Sequence, residues 1–286
     1  MINGKLIGLG VSVMSLIMAG CASTSQPVSY DESHSRAYNI AQAGGLYDVK
    51  DKYVPRENYE SLQFIGDSAT NALLFNSSIG TGLDLTTSLG LGVLMSAIEL
   101  PGNSSRDSFI AWMPAEKAQT PEEARDLLMD EYQKSIKSVF SDLKAEYGVI
   151  RELGEIFDGR VSQYYFYSDE LNCPKFDERE PNKKLCSVGI AAFSPVVKES
   201  PMFVLNGDRS YAFLSNSKSD YNRINVYLPE DSKINKDDLL SLISEKLPYK
   251  SYIYVSSGEL AFGESQVKTN YLLDNGAPLL FIHPEN

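Results

Sequence analysis

The sequence predicts an α+β fold: a mainly antiparallel sheet with two capped helices, preceded by a helical, Gly-rich N-terminal region. Two observations carry this reading. Strand-like runs succeed one another at residues 148–157, 160–168, 185–193, 210–215 and 222–228 without a helix between each pair, and such runs argue against a strictly alternating parallel architecture. Two stretches, near residues 120 and 235, carry complete helix-start chemistry. No internal repeat is visible.

The elements follow in chain order. RAYNIAQAGG, residues 36–45, reads as a short helix stopped by Gly44 and Gly45. Residues 55–76 look largely helical, with a break near Gly66. In residues 79–98 the only charge is Asp84, and Gly80, Gly82, Gly90 and Gly92 come in pairs. Glycines weaken a helix by about 1 kcal/mol each relative to alanine, so this is a poor free-standing transmembrane helix. Three readings stay open for it: a buried core segment, a membrane-contacting surface, or a patch covered by a partner. SFIAWM, residues 108–113, is a strand with the single tryptophan, Trp112. Next comes the strongest helix. Thr120 is its N-cap, Pro121 sits in the first turn and Glu123 completes a capping box. Leu127, Leu128, Tyr132, Ile136, Val139, Phe140 and Leu143 form one apolar stripe, and Gly148 is the expected stop.

QYYFYS and INVYLP are rich in aromatic and β-branched residues. Asp158-Gly159 signals a hairpin turn. A second helix starts at the cap Asn235, turns Leu239, Leu240, Ile243 and Leu247 inward, and stops at Pro248. SYIYVS is a strand, residues 258–270 read as loop, and Asp274-Asn275-Gly276 reads as a hairpin turn between 271–273 and 279–283.

Composition narrows the function classes. The chain has 286 residues, 38 acidic against 26 basic, and a formal net charge of −12. Such a surface repels phosphate backbones, so nucleic acid is not an expected partner. It also gives no broad attraction to anionic lipid. Seventeen tyrosines and twelve phenylalanines supply large core side chains. No phosphate loop, HExxH helix or EF-hand loop is present, and no metal site or cofactor is expected.

The N-terminus carries an address. Lys5 precedes an uncharged apolar stretch, residues 6–18, which is too short to span a bilayer and suits a signal-peptide core. Ala19 and Gly20 are small, and Cys21 follows. Met18-Ala19-Gly20-Cys21 resembles the lipobox of bacterial lipoproteins, with Met18 where leucine is commoner. The resemblance covers only the start of the chain. It implies cleavage before Cys21, a covalent lipid on Cys21, and anchorage in a membrane. Ala22, in place of the aspartate that favours inner-membrane retention, implies the outer membrane with the body in the periplasm. The expected organisation is therefore a signal peptide at 1–20, a flexible tether at 21–35 containing His34, a helical Gly-rich region at 36–105 and an α+β domain at 106–286.

Cys21, Cys173 and Cys186 are the only cysteines. With Cys21 assigned to lipid, Cys173 and Cys186 are expected to pair as a disulfide in an oxidising compartment. They would staple the neck of a charged loop, residues 168–189, stiffened by Pro174 and Pro181. That loop is either solvated decoration or a preorganised recognition surface, with Phe176 as anchor and Arg179, Lys183 and Lys184 as contact candidates.

Gly66-Asp67-Ser68 resembles the nucleophile block of GDSL-type esterases. That family needs its serine after a first strand and a late histidine preceded by aspartate. The late histidine here is His283, and three residues before it stands Leu280. The functional expectation is a lipid-anchored envelope lipoprotein that binds another protein, as an assembly accessory or a periplasmic immunity protein. A GDSL-like hydrolase using Ser68 and a hydrophobic-ligand carrier are the alternatives.

Overall fold

The computed structural model describes residues 28–56, 59, 106–156, 159–175, 184–215, 222–262 and 265–285. The fold is α+β with a mostly antiparallel sheet. Among these residues the α-helices are α1 (Arg36–Ala43), α2 (Pro121–Asp142), α3 (Met202–Leu205) and α4 (Lys236–Lys246). Its strands are β1 (Lys52–Val54), β2 (Ser108–Pro114), β3 (Glu146–Ile156), β4 (Gly159–Tyr167), β5 (Cys186–Phe193), β6 (Val196–Glu199), β7 (Arg209–Phe213), β8 (Arg223–Tyr227), β9 (Lys250–Phe262), β10 (Ser265–Asp274), β11 (Ala277–Leu280) and β12 (Ile282–Pro284).

The main sheet runs β11-β10-β9-β2-β8-β5-β4-β3. It forks at β2, which meets β8 only at Ser108 opposite Arg223, then pairs with β7 from Ala111 to Pro114. β6 extends that branch. Every pairing in this sheet is antiparallel. β1 and β12 form a separate parallel pair.

Both faces of β2 are buried, so its sequence shows no apolar–polar alternation. Phe109, Ala111 and Met113 point to one face, where α2 and α4 lie. Leu128, Tyr132, Ile136, Val139 and Phe140 of α2 and Leu239, Leu240 and Ile243 of α4 fill that layer. Ile110 and Trp112 point the other way, toward Ile40 and Ala41 of α1, Val204 of α3 and Phe281. Strand period fixes this division, because successive side chains point to opposite faces.

Local chemistry explains the helix starts. The Glu123 N–H donates to Thr120 Oγ1 at 3.1 Å, and Glu123 Oε2 accepts from the Gln119 N–H at 2.8 Å. The Asp238 N–H donates to Asn235 Oδ1 at 2.8 Å. Ser35 caps α1, accepting from the Tyr38 N–H.

The structure corrects several expectations. Residues 258–262 and 265–270 are not loop: they lie in β9 and β10, paired from Ser265–Phe262 up to Asp274–Tyr252. At Gly258, inside β9, a Cβ would come within 2.3 Å of the Tyr271 ring. α2 ends at Asp142 rather than at Gly148, which is inside β3. β1, β6 and α3 were not anticipated. The last residues of the expected tether, 31–35, are hydrogen-bonded to the body, and residues 36–54 pack with the sheet rather than apart from it. The segments 1–20 and 77–102, and residues 55–76 apart from 55, 56 and 59, lie outside the described residues, as do Cys21 and Ser68.

Candidate functional site

β4 delivers the chain to the neck of the charged loop, and β5 takes it back. After Tyr167, Ser168 and Cys173 exchange both backbone hydrogen bonds, at 3.0 and 2.8 Å. Asn172 closes the turn between them with a left-handed backbone (φ 56°). Cys173 and Cys186 lie 5.4 Å apart at Cα and are joined as a disulfide. Both are buried. The neck is tied to the approach to α4 as well: Asn172 Nδ2 donates to Asp231 O at 2.9 Å, and the Lys233 N–H donates to Leu171 O at 2.9 Å.

The rim of this neck is charged. Tyr167 OH donates to Asp169 Oδ2 at 2.6 Å, and that bond pushes the phenol pKa up. Lys175 sits over the Tyr167 ring, 5.5 Å from its centroid, and 3.4 Å from Glu146. Lys184, one of the predicted contact residues, is exposed and lies 3.4 Å from Glu230. Phe176, Arg179 and Lys183 lie outside the described residues. Exposed pairs like these contribute little stability.

The two histidines have backbone and carboxylate partners. Both ring nitrogens of His283 lie near carbonyl oxygens, Nε2 at 2.9 Å from Glu32 O and Nδ1 at 3.0 Å from Pro284 O. That geometry makes His283 a clasp on residues 31–35. His34 stacks on Tyr38 and lies 3.2 Å from Asp51, whose carboxylate also accepts from the Ser35 N–H.

Sequence reasoning missed a polar cluster at the start of α4. Asp107 Oδ1 accepts from the Ser256 N–H and Oγ, at 2.8 and 2.9 Å, and Oδ2 lies 3.1 Å from Lys236 Nζ. Asp237 accepts from Tyr271 OH at 2.7 Å and from the Glu259 N–H at 2.9 Å. Burial pushes the Asp237 carboxyl upward. Burial first, and then the neighbouring Asp237, push Asp238 up to about 6. Asp107 and Asp237 are engaged by protein donors and tie α4 to β9 and β10. No single motif marks them, because the partners come from four separate stretches of chain.

Among the described residues, no group of three or more His, Cys, Asp and Glu side chains is placed to hold a metal ion. No helix among them is long and apolar enough to cross a membrane. No protein-family model matches the chain, and no curated protein or solved structure is significantly similar to it.

Proposed function

We propose that this chain is a lipid-anchored envelope lipoprotein, held in the outer membrane by acyl groups on Cys21, whose body faces the periplasm and binds another protein. It would act as an accessory of an envelope assembly or as an immunity protein, without chemistry of its own. The observation that carries the reading is the Met18-Ala19-Gly20-Cys21 sequence at the end of an apolar leader. The stapled neck supports the binding part. A loop held closed by Cys173 and Cys186 loses less entropy on docking than a free one, and its exposed rim offers both signs of charge.

The test is to purify the full-length protein from its native envelope after brief cross-linking. An N-terminal peptide carrying a diacylglyceryl and an acyl group at Cys21 is expected by mass spectrometry, and a Cys21→Ala variant should leave the membrane fraction. A stoichiometric partner should be recovered, and should be lost with the Lys183→Glu, Lys184→Glu double variant. Recovery of a lone monomer, where known envelope complexes survive the same treatment, would overturn constitutive binding.

A further inference from the structure

Val28 stands seven residues after Cys21 in the sequence. Exposed apolar side chains lie at and near it. Val28 and Tyr30 are each 41% exposed, and Met202 is 54% exposed. The Tyr30 ring stands edge-on to Phe203, with centroids 5.4 Å apart. Met202 is the first residue of α3 and Phe203 the second. This short turn is firmly held. The Ser200 N–H donates to Asp208 O at 2.9 Å, Ser200 Oγ donates to Leu205 O at 2.9 Å, and Val204 packs inward. α3 is thus a fixed knuckle that leaves Met202 projecting into solvent.

We propose that this knuckle is the membrane-facing side of the body: Val28, Tyr30, Met202 and Phe203 rest in the headgroup region of the bilayer that holds Cys21. The inference rests on the lipid-anchor reading and goes beyond it by orienting the body. Reach is the first argument. Seven residues span at most about 24 Å when extended and about 15 Å as a flexible chain. Residues 22–27 carry no charge, so nothing in that stretch repels the patch from the interface. A surface tethered this closely is held at an effective concentration on the order of millimolar, so a few apolar side chains suffice. Chemistry is the second argument. Tyrosine favours the membrane–water interface because its ring is apolar and its hydroxyl is not, and here its ring stands against Phe203. The disulfide neck differs in kind: its rim is Asp169, Lys175, Lys184 and Glu230, which suits water. With a net charge of −12, the contact is apolar rather than electrostatic, so zwitterionic lipid serves.

The experiment places a single thiol at position 202 (Met202→Cys) in the full-length acylated protein and labels it with an environment-sensitive fluorophore. A second variant, Val28→Cys, lies outside the helices and strands. A control, Tyr147→Cys, lies on β3 at the far edge of the sheet. The proteins are reconstituted in phosphatidylcholine–phosphatidylethanolamine vesicles with nitroxide-labelled lipid. The labels at 202 and 28 should shift to the blue and be quenched at least several-fold more than the label at 147. Equal quenching at all three sites, in protein that floats with the vesicles, would overturn the orientation and leave the anchor intact. A blue shift at 202 without lipid quenching would assign the patch to a protein contact, which also overturns it. Acylated protein that does not float would overturn the anchor reading and this one together.

Discussion

The two faces of the sheet are built by different means. One is covered by α2 and α4, helices of 22 and 11 residues with continuous apolar stripes. The other is covered by short pieces: α1, α3, and the turn that carries Phe281. The first face draws on β2, β4, β5, β7, β8, β9 and β10. The second draws on β2, β7, β9 and β10, whereas Gln163, Tyr165, Gly189 and Asn225, on β4, β5 and β8, are only half-buried there. A long amphipathic helix buries a wide stripe with a single start and stop. Short pieces need side-chain clasps instead, and Ser35, Asp51, His34 and His283 supply them.

The largest test of this contrast removes one anchor from each face. Phe140 is fully buried and stacks on Phe166 with centroids 4.7 Å apart, so Phe140→Ala should cost about 3–5 kcal/mol. Ile40→Ala, on the α1 side, should cost about 2–4 kcal/mol, nearer the low end because a short helix can shift to close the gap. Denaturant midpoints for both variants measure the difference, and equal costs would show the faces to be equally coupled to global unfolding. The disulfide comes next. Cys173→Ser with Cys186→Ser should lower stability by roughly 3 kcal/mol in the chain-entropy picture, read as a fall in Tm without change in secondary structure.

His283→Ala sharpens the contrast locally. It should cost roughly 1 kcal/mol overall but raise hydrogen exchange at residues 31–35 ahead of the rest. Uniform acceleration throughout the chain would show that the clasp is part of the core. Asp238 gives a pH test. Its carboxyl is pushed from the ordinary 3.8 up to about 6, so the native state holds a proton that the unfolded state releases. The stability this contributes is complete below about pH 4 and is lost as pH rises through about 6. Asp238→Asn cannot ionise, so its stability relative to the parent should rise between pH 4 and pH 7. A parallel pair of Tm–pH curves would contradict this.

The smallest effect comes from two helix ends. α1 and α2 close with the same pattern of hydrogen bonds. In α1 the Leu46 N–H reaches Ala41 O and the Gly45 N–H reaches Gln42 O; in α2 the Ala145 N–H reaches Phe140 O and the Lys144 N–H reaches Ser141 O. The left-handed residue is Gly45 in one (φ 90°) and Lys144 in the other (φ 51°). Lys144→Gly should therefore stabilise by about 0.5 kcal/mol, the relief of strain exceeding the added freedom of the unfolded chain.

That same pair shows what could be read in advance. Gly44-Gly45 announced the end of α1. Lys144 carries no such signal, and the next glycine, Gly148, lies inside β3. The starts of α2 and α4 were legible because Thr120, Glu123 and Asn235 act on backbone groups within three residues of themselves. The hairpin at Asn275-Gly276 was legible for the same reason, since both residues adopt positive φ (52° and 82°). β1 was not, because its three residues pair with β12, more than 200 positions away. Of the charged neck, Cys173, Cys186 and Lys184 could be named from the sequence, whereas the bonds from Asn172 and Leu171 to residues 231 and 233 could not.

By itself, then, the sequence determined what is decided within a few residues: caps, turns and the pairing expected of two cysteines. The tertiary structure alone decided which helix covers which face, that residues 31–35 belong to the body, and that Asp107, Asp237 and Tyr271 meet at the start of α4. The physical reason is range. Backbone capping and side-chain period act locally and leave a local signature, whereas a contact between distant strands depends on the packing of everything between them.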